Sequence, residues 1–255
     1  MTDYTVAAVD EALGILLLVA QHPGLGVTEL SLKSGNTKAR TFRLLFTLEQ
    51  RGLLHRDGDT PVYHLGYKAL YLGVAAQEQI DLVRVARSHL RDIGGVCNEN
   101  VQIRVRDGLD ALCVARWEST QAVRVHGEIG NRRPLHAGAS SKILLAYAPP
   151  DIQQTVMSGA LQRYTAHTIV AADKLAAELR AIVKQGYAIS SGETSNDALA
   201  IAAPIRDGSG EVVAALGISG PASRITRNGV QELTGFILQR AADLSLALGY
   251  RQTPL

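Results

Sequence analysis

The chain has 255 residues, 46% hydrophobic and 20% charged, enough for one or two buried cores; its formal net charge of +2 is too small to argue nucleic-acid binding by itself. Two cysteines, Cys97 and Cys113, without a C-x-x-C pair, and seven unclustered histidines exclude a disulfide scaffold and a zinc site, so neither metal nor cofactor is expected. The N-terminus lacks a basic leader and the apolar run at 15–20 is too short to span a bilayer, which points to a cytoplasmic protein without membrane contact.

A first helix is predicted over 6–20, with Val9, Leu13, Leu16 and Leu17 contributing to a small core. A second, over 28–34, stops at Gly35, a residue free to take the left-handed conformation that closes a helix. A third opens on Asn36 or Thr37 as N-cap, and Phe42, Leu45 and Leu48 recur at helical spacing as its buried stripe. Thr37, Lys38, Arg40, Thr41 and Arg43 then lie largely off that stripe. Short polar and cationic side chains at a helix start suit a major groove, where N-terminal residues reach base edges and neighbours grip phosphates. Between Lys33 and Arg56 six basic residues meet Glu49 alone, although residues 1–60 as a whole are slightly acidic. The positive charge is therefore concentrated, as a DNA footprint requires. Leu53 and Leu54, then Val62, Tyr63 and Leu65, flank Asp57-Gly58-Asp59-Thr60-Pro61 and read as a hairpin wing. Arg56 and His64 are placed against the DNA backbone or minor groove, and Tyr63 either there or in the core.

Helix-Gly-helix-wing is the order of a winged helix-turn-helix, assigned to residues 1–66. Two further helices are predicted over 67–78, with Leu70, Tyr71 and Val74 on one face, and over 81–93, capped by Asp81; together, as 67–94, they read as a linker and a dimer seam. From residue 95 the pattern changes. Strands are predicted at 101–105, 111–115, 121–126, 187–190, 200–205 and 212–219, and helices at 141–148, 151–157, 172–185 and 226–248. The hairpin links make the sheet mostly antiparallel, so the fold class is α+β.

Four segments in this order resemble the IclR family of bacterial transcriptional regulators: T-F-R-L-L-F-T-L-E-Q-R-G-L-L (41–54), Y-H-L-G-Y-K-A-L-Y-L-G (63–73), R-P-L-H-A-G-A-S-S-K-I-L-L-A (133–146) and A-I-A-A-P-I-R-D-G-S-G-E-V-V-A-A-L-G-I-S-G-P (200–221). The resemblance covers nearly the whole chain. It implies an N-terminal winged helix for DNA, a linker helix and a C-terminal effector domain of GAF-like fold over 95–255. It also implies homodimers, often paired into tetramers, on pseudo-palindromic operators, and a small-molecule effector held between the P-L-H-A segment and the last strands. Carried over position by position, the effector-binding amides fall after Gly138 on Ala139 and Ser140. An Asp of members that bind small 2-oxo acids is Ser190 here, a Cys is Ala200, and two Ser are Gly217 and Ser219. The start of the helix there can still bind a carboxylate. The opposite wall reads as roomier and less polar, which implies an acid larger than glyoxylate or pyruvate, aromatic or substituted.

No catalytic constellation is complete. Ser140-Ser141-Lys142 fails the S-x-x-K spacing because Ala139 stands three residues before Lys142, and Gly217-Ile218-Ser219-Gly220 lacks the closing Gly of G-x-S-x-G, which is Pro221. His136 has no acid placed to orient it, and Glu193 and Asp197 read as a solvated or gating loop. A small hydrolase and a DNA-independent adaptor are the alternatives; three outward cations on the third helix argue against the adaptor.

Overall fold

The computed structural model describes residues 4–56, 61–79, 81–125, 127–225 and 227–251. The chain forms two compact units, residues 1–80 and 81–255.

The first unit runs α1 (Ala7–Gln21), β1 (Leu25–Gly26), α2 (Val27–Ser34), α3 (Lys38–Gln50), β2 (Leu54–Arg56), β3 (Val62–Leu65) and α4 (Tyr67–Gln79). Gly35 adopts φ +70° and closes α2, and the Thr37 side chain accepts from the Arg40 amide to cap α3. The core is Ile15, Val19, Leu30, Leu45, Leu48, Leu54 and Tyr63. Two predicted stripes are out of phase with it. Val9, Leu13 and Leu17 are exposed, and α1 buries Ile15 and Val19 instead. In α3 Phe42 is 48% exposed and Thr41 is 0% exposed, so the inward row is Thr41–Leu45–Leu48. The wing is a three-stranded sheet, β1-β3-β2, in which the unpredicted β1 pairs Leu25 with Tyr63. That places β3 in the centre and settles Tyr63 as core. The turn at 57–60 lies outside the described residues. Gly66 approaches the Gly52 carbonyl so closely that a β-carbon would meet it at 2.3 Å, which fixes the exit from the wing.

The second unit runs α5 (Asp81–Cys97), β4 (Asn100–Asp107), β5 (Asp110–Trp117), β6 (Arg132–Pro134), α6 (Ala139–Ala146), α7 (Pro150–Ser158), α8 (Ala172–Gln185), β7 (Ala188–Ser191), β8 (Ala198–Arg206), β9 (Val212–Pro221) and α9 (Arg227–Ala247). The helices predicted over 67–94 thus divide between the units, α4 in the first and α5 in the second. Six strands form one antiparallel sheet in the order β6-β5-β4-β9-β8-β7. Helices α5 and α9 cover one face through Leu90, Ile93, Ile103, Ile201, Leu216 and Ile237. Helices α6 and α8 cover the other through Ile143, Leu145, Leu175, Leu179, Ala202 and Ala215. With both faces covered, the strands cannot alternate simply between core and water. On the α5 side Gly94 lets the helix sit on the Trp117 ring, where a β-carbon would come within 2.1 Å.

The predicted strand at 121–126 does not form. Its described residues are a bend at 121–123 and irregular chain at 124–125, and the sixth strand is β6. Side chains of Asn98 and Asn100 hold the backbone just before this segment, and Asn100 Nδ2 also donates to the Val125 carbonyl within it. Asn100 Oδ1 accepts from the Ser119 amide at 2.9 Å, and Asn98 Oδ1 accepts from the Thr120 amide at 3.2 Å. Asn98 itself sits at φ +46°. Among the described residues no helix is long and apolar enough to cross a membrane.

Candidate functional site

Two features of the fold gather chemistry. The first is the outer face of α3. Thr37, Lys38 and Arg43 are exposed there, and neither Lys38 nor Arg43 meets an acid among the described residues. Arg40 instead forms an ion pair with Glu11 of α1, and Arg56 pairs with Glu49 at 2.9 Å, which raises the already high pKa of its guanidinium. His64 stacks on His55 with ring centroids 5.5 Å apart. Thr41 offers nothing to a groove: it lies under the helix, and its hydroxyl has no hydrogen-bond partner among the described residues. Phe42 and Phe46 occupy part of the outer face in its stead.

The second feature is a cavity of about 50 Å³ between the start of α6 and the sheet. Gly138, Ala139, Ser140, Ser190, Ala200 and Ser219 line it, six of the seven positions singled out in the sequence. Gly217 does not. A β-carbon there would stand 2.4 Å from Ser140 Oγ, so the small residue admits the α6 hydroxyl rather than opening the wall. At Gly217 the space that the small residue leaves is taken by Ser140 Oγ. Ser140, Ser190 and Ser219 are all at least nine-tenths buried, and their hydroxyls have no partner among the described residues.

Helix α6 is held at its first turn by a buried charge cluster. Lys142 is 1% exposed and its three protons are all used: on Glu193 Oε1 at 2.6 Å, Glu178 Oε1 at 2.7 Å and the Ile189 carbonyl at 3.1 Å. Glu193 Oε2 also accepts from the Gly138 amide at 3.1 Å, so the same carboxylate caps α6. Glu193 is thus buried, neither solvated nor free to gate, whereas Asp197 remains exposed. His136 meets the Gln162 carbonyl at 2.9 Å and lies against Tyr164, which makes it a loop fastener rather than a base.

The opposite wall was not anticipated: it carries Arg104, Arg116 and Arg133, and no Asp or Glu is among the described residues that line the cavity. Arg104 is buried and donates to the Ala111 carbonyl at 2.8 Å and to Asn131 Oδ1 at 3.2 Å. Burial pushes its pKa down to about 10, and burial likewise lowers that of Arg133. A sequence signal was present. Gln102 and Arg104 stand two apart on a strand with an apolar residue on each side of Arg104, and in a sheet covered on both faces an arginine has no outward direction to take.

A winged helix with outward cations, followed in the same chain by an antiparallel sheet and a cationic cavity, defines a DNA-binding transcriptional regulator with a C-terminal effector domain. A model of the bacterial transcriptional regulator IclR C-terminal domain matches residues 74–246, and one of the IclR helix-turn-helix domain matches residues 8–58. The chain belongs to the IclR family. The transcriptional regulator KipR of Bacillus subtilis is 32% identical over 241 residues, spanning 94% of this chain and 96% of that protein. A transcriptional regulator from Rhodococcus sp. RHA1 superposes with a TM-score of 0.83 at 27% identity, over 96% of this chain and 98% of that one. An IclR homologue from Microbacterium hydrocarbonoxydans, crystallised with 4-hydroxybenzoate, superposes with a TM-score of 0.83 over 94% of this chain and 98% of that one; at 23% identity it speaks to the fold alone.

Proposed function

We propose that this regulator works in the cytoplasm as a homodimer or tetramer on a pseudo-palindromic operator, and that a small carboxylate bound in the α6 cavity shifts its affinity for that DNA. Residues 1–66 contact DNA, 67–94 connect and pair the subunits, and 95–255 bind the effector. The carrying observation is the cavity itself: helix-start amides, the hydroxyls of three buried serines and three arginines, with no carboxylate among the described lining residues. Its size favours a short acid over an aromatic one, since about 50 Å³ compares with roughly 150 Å³ for a protein cavity that takes benzene. On the DNA side Thr37, Lys38 and Arg43 make the direct contacts, with Arg40, Arg56 and His64 in support.

The mechanism is linkage. A ligand moves operator affinity only by binding the two arrangements of the recognition helices unequally. Those helices must match half-sites about 34 Å apart, or multiples of that turn. The test is fluorescence anisotropy on an operator fragment, titrated with and without short carboxylic acids. Operator affinity that changes with an acid, and that stops changing in Ser140→Val, supports the reading; an operator affinity indifferent to every acid overturns it.

A further inference from the structure

The two sides of the cavity differ in kind. One side is donating: the amides of Ala139 and Ser140, which no described residue accepts from, next to the Gly138 amide that Glu193 takes, and the hydroxyls of Ser140, Ser190 and Ser219. The other side is cationic. Arg104, Arg116 and Arg133 come from three adjacent strands and line the same cavity. Their charges are poorly met. Arg104 has only carbonyl and amide oxygens, Arg116 reaches the exposed Glu118 at no better than 3.7 Å, and Arg133 has no hydrogen-bond partner among the described residues.

Arg132 shows how this chain treats an arginine that is merely structural. It is the neighbour of Arg133 on the same edge strand, points outward, and is tied to Asp107 at 2.5 Å and Asp110 at 3.2 Å. Those carboxylates raise its pKa, whereas burial without an anion lowers those of Arg133 and Arg104. Desolvated cations are normally paired, and here the space in front of them is a cavity.

We propose that the ligand carries an acid group at each end: a short aliphatic dicarboxylate, with one carboxylate on the amides and hydroxyls at the start of α6 and the other on the Arg104–Arg116–Arg133 cluster. This rests on the effector reading above and narrows it. A monocarboxylate satisfies one side only and leaves the other as it stands. Guanidinium–carboxylate hydrogen bonds are charge-assisted and often bidentate, so the second acid group is worth a tenfold or larger gain in affinity, by an order-of-magnitude estimate.

The test is isothermal titration calorimetry of the full chain with oxalate, malonate and succinate, each against the monocarboxylate of equal carbon number, acetate, propionate and butyrate. Arg133→Gln is measured in parallel, with its thermal unfolding to show that it folds. At least one dicarboxylate is expected to bind about tenfold or more tighter than its partner, and Arg133→Gln is expected to erase that preference. Equal affinity of the paired acids, or a preference that survives in both Arg133→Gln and Arg116→Gln, overturns the proposal and leaves the effector reading standing. Binding of no acid of either kind overturns both.

Discussion

Replacing Lys142 by Met removes a cation of similar length from the middle of the second unit. Three acceptors lose their partner, and Glu193 is left buried with the Gly138 amide as its remaining donor. Breaking a buried ion pair from one side costs about 3–5 kcal/mol, because the surviving charge stays desolvated. Glu178 is partly exposed and turns to water, so the loss concentrates on Glu193, whose side chain is only 7% exposed. Adding Glu193→Gln removes the orphaned charge and keeps an oxygen for Gly138. The double variant is therefore expected to lie within about 1–2 kcal/mol of the parent. Trp117 is the only tryptophan and lies on β5, so urea unfolding followed by its fluorescence reports this unit. A loss under about 1 kcal/mol in Lys142→Met, or a double variant no more stable than the single, would refute the assignment of Lys142 and Glu193 as a coupled pair.

Gly217→Ala is expected to lose about 1–3 kcal/mol by overpacking against Ser140 Oγ, and Ser140→Ala is expected to restore most of it in the same unfolding assay. Thr41→Val keeps the shape and removes an unpartnered hydroxyl, so stability should hold or rise by up to about 1 kcal/mol with operator affinity unchanged. A weaker operator complex would return Thr41 to the DNA face. Lys38→Ala with Arg43→Ala should flatten the salt dependence of operator binding, by a slope of about 0.9 for each phosphate that is no longer neutralised. An unaltered slope and affinity would mean that α3 is not the recognition helix.

Elements bounded by special backbone were legible. Gly35 and Gly186 stop α2 and α8 in left-handed conformations, and both helix ends fall where the sequence puts them. Phase was harder to read than existence. In α1 the run Ile15-Leu16-Leu17-Leu18-Val19 offers several apolar faces, and only packing on α2, α3 and β3 selects Ile15 and Val19. In α3 the same selection buries a threonine and exposes two phenylalanines, against their transfer preferences. The segment at 121–126 alternates like a strand, but Asn98 and Asn100 capture the backbone around 119–125, a long-range event that no local pattern announces. Of the cavity, the α6 side was legible because its positions match a family motif. On the arginine side only Arg104, an arginine between apolar residues on a strand, carried a local signal; Arg116 and Arg133 join it through the strand order.

That strand order also sets a sequence of events during synthesis. Strands β6, β5 and β4 come from residues 100–134 and β9, β8 and β7 from 188–221, two hairpin-linked halves that meet only where β4 pairs with β9. Each half is local and quick to form, whereas the joint between β4 and β9 must close a loop of about a hundred residues and is therefore slow. The arginines belong to the early half, and Ser190, Ala200 and Ser219 to the late one. A nascent chain thus has no ligand site until β9 has left the ribosome. A metabolite that grips both sides would act as a stitch across this joint, holding together the two halves of a sheet that the chain assembles last.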